Sequence, residues 1–93
     1  MKIRVRFHSR FKDIFGAKEK DIELEEGARV RDLLRLLCAS EVQSKSIYAE
    51  SEKRLRHDVL LTKNRRFIFH MQRLDTQLED RDEVAILYPA CMG

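Results

Sequence analysis

Glycine is scarce in this chain. Three occur in 93 residues, far apart at Gly16, Gly27 and Gly93. A phosphate-cradling loop needs clustered glycines, so a nucleotide site of that kind is excluded. Metal-ligating side chains are few as well. The candidates are His8, His57, His70, Cys38 and Cys91, and no pair of them has the spacing of a zinc site. The acidic run from Glu79 to Glu83 lacks the alternating pattern of a calcium loop and reads as a solvated turn before a strand. Nothing in the sequence argues for a serine or cysteine triad. No apolar run is long enough to span a membrane. The opening stretch MKIRVRFHSR alternates charged and apolar residues and lacks the apolar core of a signal peptide. Cys38 and Cys91 therefore read as reduced thiols of a cytoplasmic protein, although their even number leaves a disulfide open.

Neither sign of charge dominates. Nineteen basic residues face 16 acidic ones, a net charge of +3 in a chain that is 38% charged. Lys2, Arg4, Arg6 and His8 fall on one face of a strand, and KRLRH and KNRR add further positive charge. Phe67 and Phe69 lie close to KNRR, where exposed rings could stack bases. The acids nearly balance the bases, so a solvated, ion-paired face is the favoured reading and nucleic acid is not the expected partner. The length suits one domain with a modest core.

Several elements are legible from periodicity. Ile3, Val5 and Phe7 alternate with polar residues and predict a half-buried strand. SRFKDIFG predicts a helical turn closed by Gly16. Ile22 and Leu24 alternate with Asp21, Glu23 and Glu25 and predict a second strand in a hairpin with the first. Val30, Leu33, Leu34, Leu37 and Cys38 form one apolar stripe at helical spacing. Arg29 stands where this helix wants a capping oxygen, and Asp32 compensates through the helix dipole. From Ala39 to His57 the pattern fits either a second helical segment or a long loop. DVLLT and RFIF predict two further strands across a turn centred on Asn64. Val84, Ile86 and Tyr88, alternating with Ala85 and Leu87, predict a last strand that Pro89 stops. One sheet with one helix on one face, and the last strand beside the first at the centre, is the economical packing.

KIRVRF, then IELEEGARVRDLLRLL, then LDTQLEDRDEVAILYP with a short tail ending in glycine, resembles the MoaD/ThiS family of ubiquitin-like sulfur carriers. The resemblance covers most of the chain and is weakest from Ala39 to His57. It departs from the family pattern at Met92 before the last glycine, at Arg65 and Arg81 in turns that usually hold glycine, and at Arg29, so the chain looks like a divergent member.

The resemblance implies an α+β, ubiquitin-like β-grasp fold, a mixed sheet of four to five strands with one main helix packed on one face. It implies a β-grasp domain over residues 1–88 and a C-terminal tail over 89–93. It implies that the carboxylate of Gly93 is adenylated by an ATP- and magnesium-using enzyme of the ubiquitin-activating type and converted to a thiocarboxylate. The chain itself would bind no cofactor and supply no catalytic side chain. Pro89, Ala90, Cys91 and Met92 would thread into a partner's active site. Ala85 and Leu87, with Phe69, would form an apolar docking patch on the outer sheet face. For a MoaD-like chain that partner is a large subunit like that of molybdopterin synthase, and the sulfur builds the dithiolene of the molybdenum or tungsten cofactor. Two alternatives stay open: a ubiquitin-like modifier joined to other proteins through Gly93, and a β-grasp interaction module without tail chemistry, which Met92 favours.

Overall fold

The computed structural model describes residues 1–49 and 54–88. Its elements run β1 (Lys2–Phe7), α1 (Phe11–Phe15), β2 (Glu19–Glu23), α2 (Val30–Leu37), α3 (Glu41–Ile47), β3 (Leu60–Lys63), β4 (Arg66–Phe67) and β5 (Glu83–Leu87). Two short 3-10 turns, Ile68–His70 and Arg73–Asp75, lie between β4 and β5. The five strands form one sheet in the order β2-β1-β5-β3-β4. β1 and β5 are parallel at its centre and the other pairs are antiparallel. This is the β-grasp arrangement that the resemblance implies.

Side-chain alternation decides the two faces of the sheet. Ile3, Val5 and Phe7 of β1, Leu61 of β3, and Val84 and Ile86 of β5 point into one core with Val30, Leu33, Leu34 and Leu37 of α2. Each large apolar side chain removed from water in this way contributes roughly 1.5–3 kcal/mol. Phe11 and Phe15 of α1 and Ile47 of α3 complete the core.

The helices begin and end where local chemistry allows. Gly16 closes α1 at φ 73°, a left-handed conformation that glycine adopts without a side-chain clash. Arg29 offers no capping oxygen to α2. The side chain of Asp32 reaches back and accepts the Arg29 N–H at 2.8 Å, and the Val30 N–H donates to the carbonyl of Thr76 at 2.9 Å. Asp32 thus acts by a direct hydrogen bond as well as by its charge near the helix dipole. Of the two readings for residues 39–57, the helical one holds for Glu41–Ile47. Ser40 caps it, accepting from the Gln43 N–H at 3.2 Å, and Gln43 returns a bond from the Ser40 N–H at 3.2 Å.

The main helix α2 packs on one face of the sheet as expected, accompanied by the shorter α1 and α3. Two expectations need correction. β2 begins two residues upstream of the predicted alternation, at Glu19, and ends at Glu23; Leu24 follows it and still exchanges bonds with Met1 at 2.8 and 2.7 Å. β2 is an edge strand exposed over most of its length, so backbone pairing rather than burial sets its limits. RFIF is not one strand. Arg66 and Phe67 pair with β3, whereas Ile68 and Phe69 enter a 3-10 turn closed by the Met71 N–H on the Ile68 carbonyl at 2.9 Å.

Candidate functional site: the outer sheet face and the C-terminal end of β5

The registers place Leu60 opposite Leu87, and Thr62 opposite both Ala85 and Phe67. Residues directly opposite share a face, so these five lie together on the side away from the helices. Ala85 and Thr62 are each 9% exposed, while Leu60, Phe67 and Leu87 are half-buried. Ala85 does not belong to the main core, which fits its place on the outer face. Next to it stands Arg6, paired with Glu83 at 3.7 Å. Further along, Arg4 pairs with Asp21 at 3.2 Å. The result is a small apolar strip rimmed by ion pairs.

Ala85 and Leu87 therefore occupy the strip, as their parity in the sequence indicates. Phe69 stands apart from the sheet. It is 64% exposed on the 3-10 turn, with the Arg73 guanidinium 4.7 Å from its ring centre. Phe67 fills the sheet position across from Thr62. Phe67, Phe69 and Leu60 meet again along a groove of about 590 Å³, which Val59, Leu74, Arg73 and Arg31 of α2 also line. Leu60, Thr62 and Phe67 were the patch residues that sequence reasoning missed. Alternation in DVLLT carried the signal for Leu60 and Thr62, but pairing to β5 was needed to fix their side.

β5 runs between β1 and β3 and delivers Tyr88 at the end of the sheet. The His8 N–H donates to the Ile86 carbonyl at 3.1 Å, holding this end to the β1–α1 connection. The Tyr88 ring is buried and stacks on Phe11 with centres 4.2 Å apart and planes 12° from parallel. Phe11 in turn lies against Phe15, and Phe15 stacks on Phe7 at 4.8 Å. The Arg10 guanidinium rests 4.2 Å from the Tyr88 ring centre, a cation–π contact. The Tyr88 hydroxyl is buried, with no hydrogen-bond partner among the described residues. Near it, Arg56 makes a two-pronged pair with Asp58 at 3.0 and 3.2 Å, and that hydrogen bond holds the Asp58 carboxyl below the usual carboxylate range.

Pro89, Ala90, Cys91, Met92 and Gly93, on which the tail expectations fall, lie outside the described residues. Cys38 is half-buried at the end of α2, beside the core. Among the described residues, no helix is long and apolar enough to cross a membrane.

The model of the ThiS family matches residues 5–91 of this chain. Among solved structures, a Pyrococcus furiosus protein provisionally named molybdopterin converting factor, subunit 1, is 32% identical, with a TM-score of 0.73 over 96% of this chain and 98% of that one. The Haloferax volcanii protein HVO 2177 is 27% identical, with a TM-score of 0.81 over 96% of this chain and 83% of that one. The small archaeal modifier protein 1 of Methanosarcina acetivorans shares the fold at 24% identity, with a TM-score of 0.78 over 99% of this chain and 96% of that one. No curated protein matches by sequence. The chain belongs to the ThiS family of ubiquitin-like β-grasp proteins, a family of sulfur carriers and modifiers.

Proposed function

We propose that this protein is a MoaD-like sulfur carrier, the small member of a molybdopterin-synthase-like pair. The observation that carries the reading is the end of β5. A central strand, paired on both sides, stops at a ring clamped by Phe11 and Arg10, and five residues ending in Gly93 follow. A rigid base lets a short tail enter a partner's active site at little cost in ordering. The 32% identity to the Pyrococcus furiosus protein supports the molybdopterin assignment over other roles in the family.

In this reading the Gly93 carboxylate attacks ATP on an adenylating enzyme of the ubiquitin-activating type, and pyrophosphate leaves. A sulfur nucleophile then attacks the acyl carbon and AMP leaves, giving the thiocarboxylate. Glycine suits this position because it brings no Cβ to the reacting carbon. The bulk of Met92 is tolerated in the channel of this chain's own partners. The outer strip of Leu60, Thr62, Phe67, Ala85 and Leu87 is the docking face, since an apolar patch rimmed by polar groups is the usual form of an interface. Magnesium and ATP belong to the activating enzyme, and the reactions take place in the cytoplasm.

The test is the intact mass of the protein after incubation with ATP, magnesium, a sulfide source and the adenylating enzyme of its own organism. Replacement of one oxygen by sulfur, lost when Gly93 is deleted, is the expected result. No conversion, with a known carrier converted in parallel, would leave an interaction module. Conjugates of the chain on other proteins in the cell would instead identify a modifier.

A further inference from the structure

We propose that Arg10 is a partner-recognition residue at the root of the tail, where its guanidinium, laid on the Tyr88 ring, pairs with a carboxylate on the adenylating partner. This rests on the reading of the chain as an activated carrier.

Three observations lead there. The first is placement. β1 ends at Phe7, and Ser9, at φ 55°, turns the chain so that Arg10 lies against Tyr88, the residue that follows β5. Phe11, next in sequence, stacks on the same ring, so residues 10 and 11 together grip Tyr88. Any protein that takes up the tail must come close to this point.

The second is charge. Arg10 is exposed, and no acid among the described residues pairs with it. Arg4, Arg6, Arg31, Arg35 and Arg56, by contrast, each have a carboxylate within 4.0 Å. Stacking leaves the guanidinium edge, with its N–H donors, turned away from the ring and available for a two-pronged bond to a carboxylate. Because the group is already ordered, less rotamer freedom is lost when that bond forms.

The third is reach. Five residues, fully extended, span at most about 17 Å. When a partner draws the tail out to that length, the reacting carboxylate is far from Arg10, whose role is docking at the mouth of the channel and not the chemistry within it.

The experiment measures steady-state thiocarboxylation against carrier concentration, with the adenylating enzyme of the same organism, ATP, magnesium and sulfide. Arg10→Glu raises KM about tenfold or more, with kcat within a factor of two of wild type. Arg10→Lys falls between them, since it keeps the charge and loses the flat stack. Arg35→Glu, the same charge change on the exposed side of α2, leaves KM unchanged. Raising the salt concentration narrows the gap between wild type and Arg10→Glu, because exposed charges are screened. Thermal midpoints of all variants, measured in parallel, separate docking from folding, and Arg10→Gln serves if the glutamate variant unfolds. A wild-type KM for Arg10→Glu, or a gap that does not respond to salt, overturns the assignment of Arg10 while the carrier reading stands. Failure of the wild-type chain itself to be converted overturns both.

Discussion

The two ends of β5 are held in different ways. At its start, Asp82 is 7% exposed and its carboxylate accepts from the Glu79 N–H at 2.7 Å and the Asn64 side chain at 2.8 Å, with Lys63 at 3.4 Å. Asn64 answers with a bond from the Glu83 N–H at 2.9 Å. At its far end the strand runs into rings: Tyr88 on Phe11, Phe11 on Phe15, Phe15 on Phe7. The polar end is directional and fixes which residue opposes which. The aromatic end is held by buried area, which has little directional preference of its own. A strand that presents a tail gains from both, a fixed register behind and a rigid base in front.

The aromatic end carries the larger energy, and removing Phe11 is the direct way to break it. Phe11 is fully buried. Phe11→Ala costs about 3–5 kcal/mol, as other buried aromatic truncations do, which is a large share of the stability of a small domain. Urea unfolding measures it. Phe69→Ala, at a ring 64% exposed, changes stability by no more than about 0.5 kcal/mol. Equal costs for the two would mean that the stack does not anchor β5.

The polar end ranks second. Asp82→Ala leaves the Glu79 N–H and the Asn64 amide without their acceptor at a partly buried site. The expected loss is about 2–3 kcal/mol. Hydrogen exchange sharpens the comparison: the Glu79 amide loses protection in this variant, while amides of β1 and β5 beside the aromatic stack do not exchange faster than the global loss requires. Loss of protection spread evenly along β5 would show that its two ends are not separate supports.

How far the sequence revealed this division depends on range. Period-two alternation exposed β1, and the stripe from Val30 to Leu37 exposed α2, because each pattern is local and its burial is one-sided, while β5, buried on both faces, stood out as a short apolar run ended by Pro89. The β-grasp order came from resemblance, and the sheet bears it out. RFIF misled because an apolar run says nothing about the i to i+3 bond that turns Ile68 out of the sheet. Asn64 bonds to Asp82 and Glu83, 18 and 19 residues away, and Arg10 is farther still from Tyr88. No spacing rule reaches across such separations. The parity of Ala85 and Leu87 did place them on the outer face, yet the strip is completed by Leu60, Thr62 and Phe67, which only strand pairing brings beside them.

The turn that leads into the polar end contains a residue at odds with its backbone. Arg81 has φ 70°, and its side chain is 91% exposed. A non-glycine residue in the left-handed region costs roughly 1–2 kcal/mol, and glycine in the unfolded chain gives back about 0.5–1 of that. Arg81→Gly therefore stabilises by about 0.5 kcal/mol, a rise of roughly 2–4 °C in Tm for a domain of this size. Its N–H still donates to the Lys2 carbonyl, so the register of β1 against β5 is kept. A fall in Tm would mean that the arginine side chain contributes to the turn in a way its exposure hides.

The smallest effect is one of pH, and it reaches both ends. Asp80 accepts the Lys2 N–H at 2.7 Å, and this bond, helped by the positive charge of the chain's amino terminus and of Arg81, lowers its carboxyl below the usual range. Between the lowered value in the folded protein and the ordinary value of about 3.9 in the unfolded chain, the unfolded state binds more protons. Stability from this carboxylate is complete above the ordinary value and is lost as pH falls through the lowered one. Asp58, lowered by its bond to Arg56 near the aromatic end, adds a contribution of the same sign. Both carboxylates are exposed enough for water to weaken the effect. Plots of Tm against pH for wild type, Asp80→Asn and Asp58→Asn test this. Each variant should melt below wild type at neutral pH and converge on it in acid, Asp80→Asn through the Lys2 contact and Asp58→Asn through the Arg56 pair. Curves that stay parallel down to pH about 2 would mean that these carboxylates hold neither end of β5 by charge.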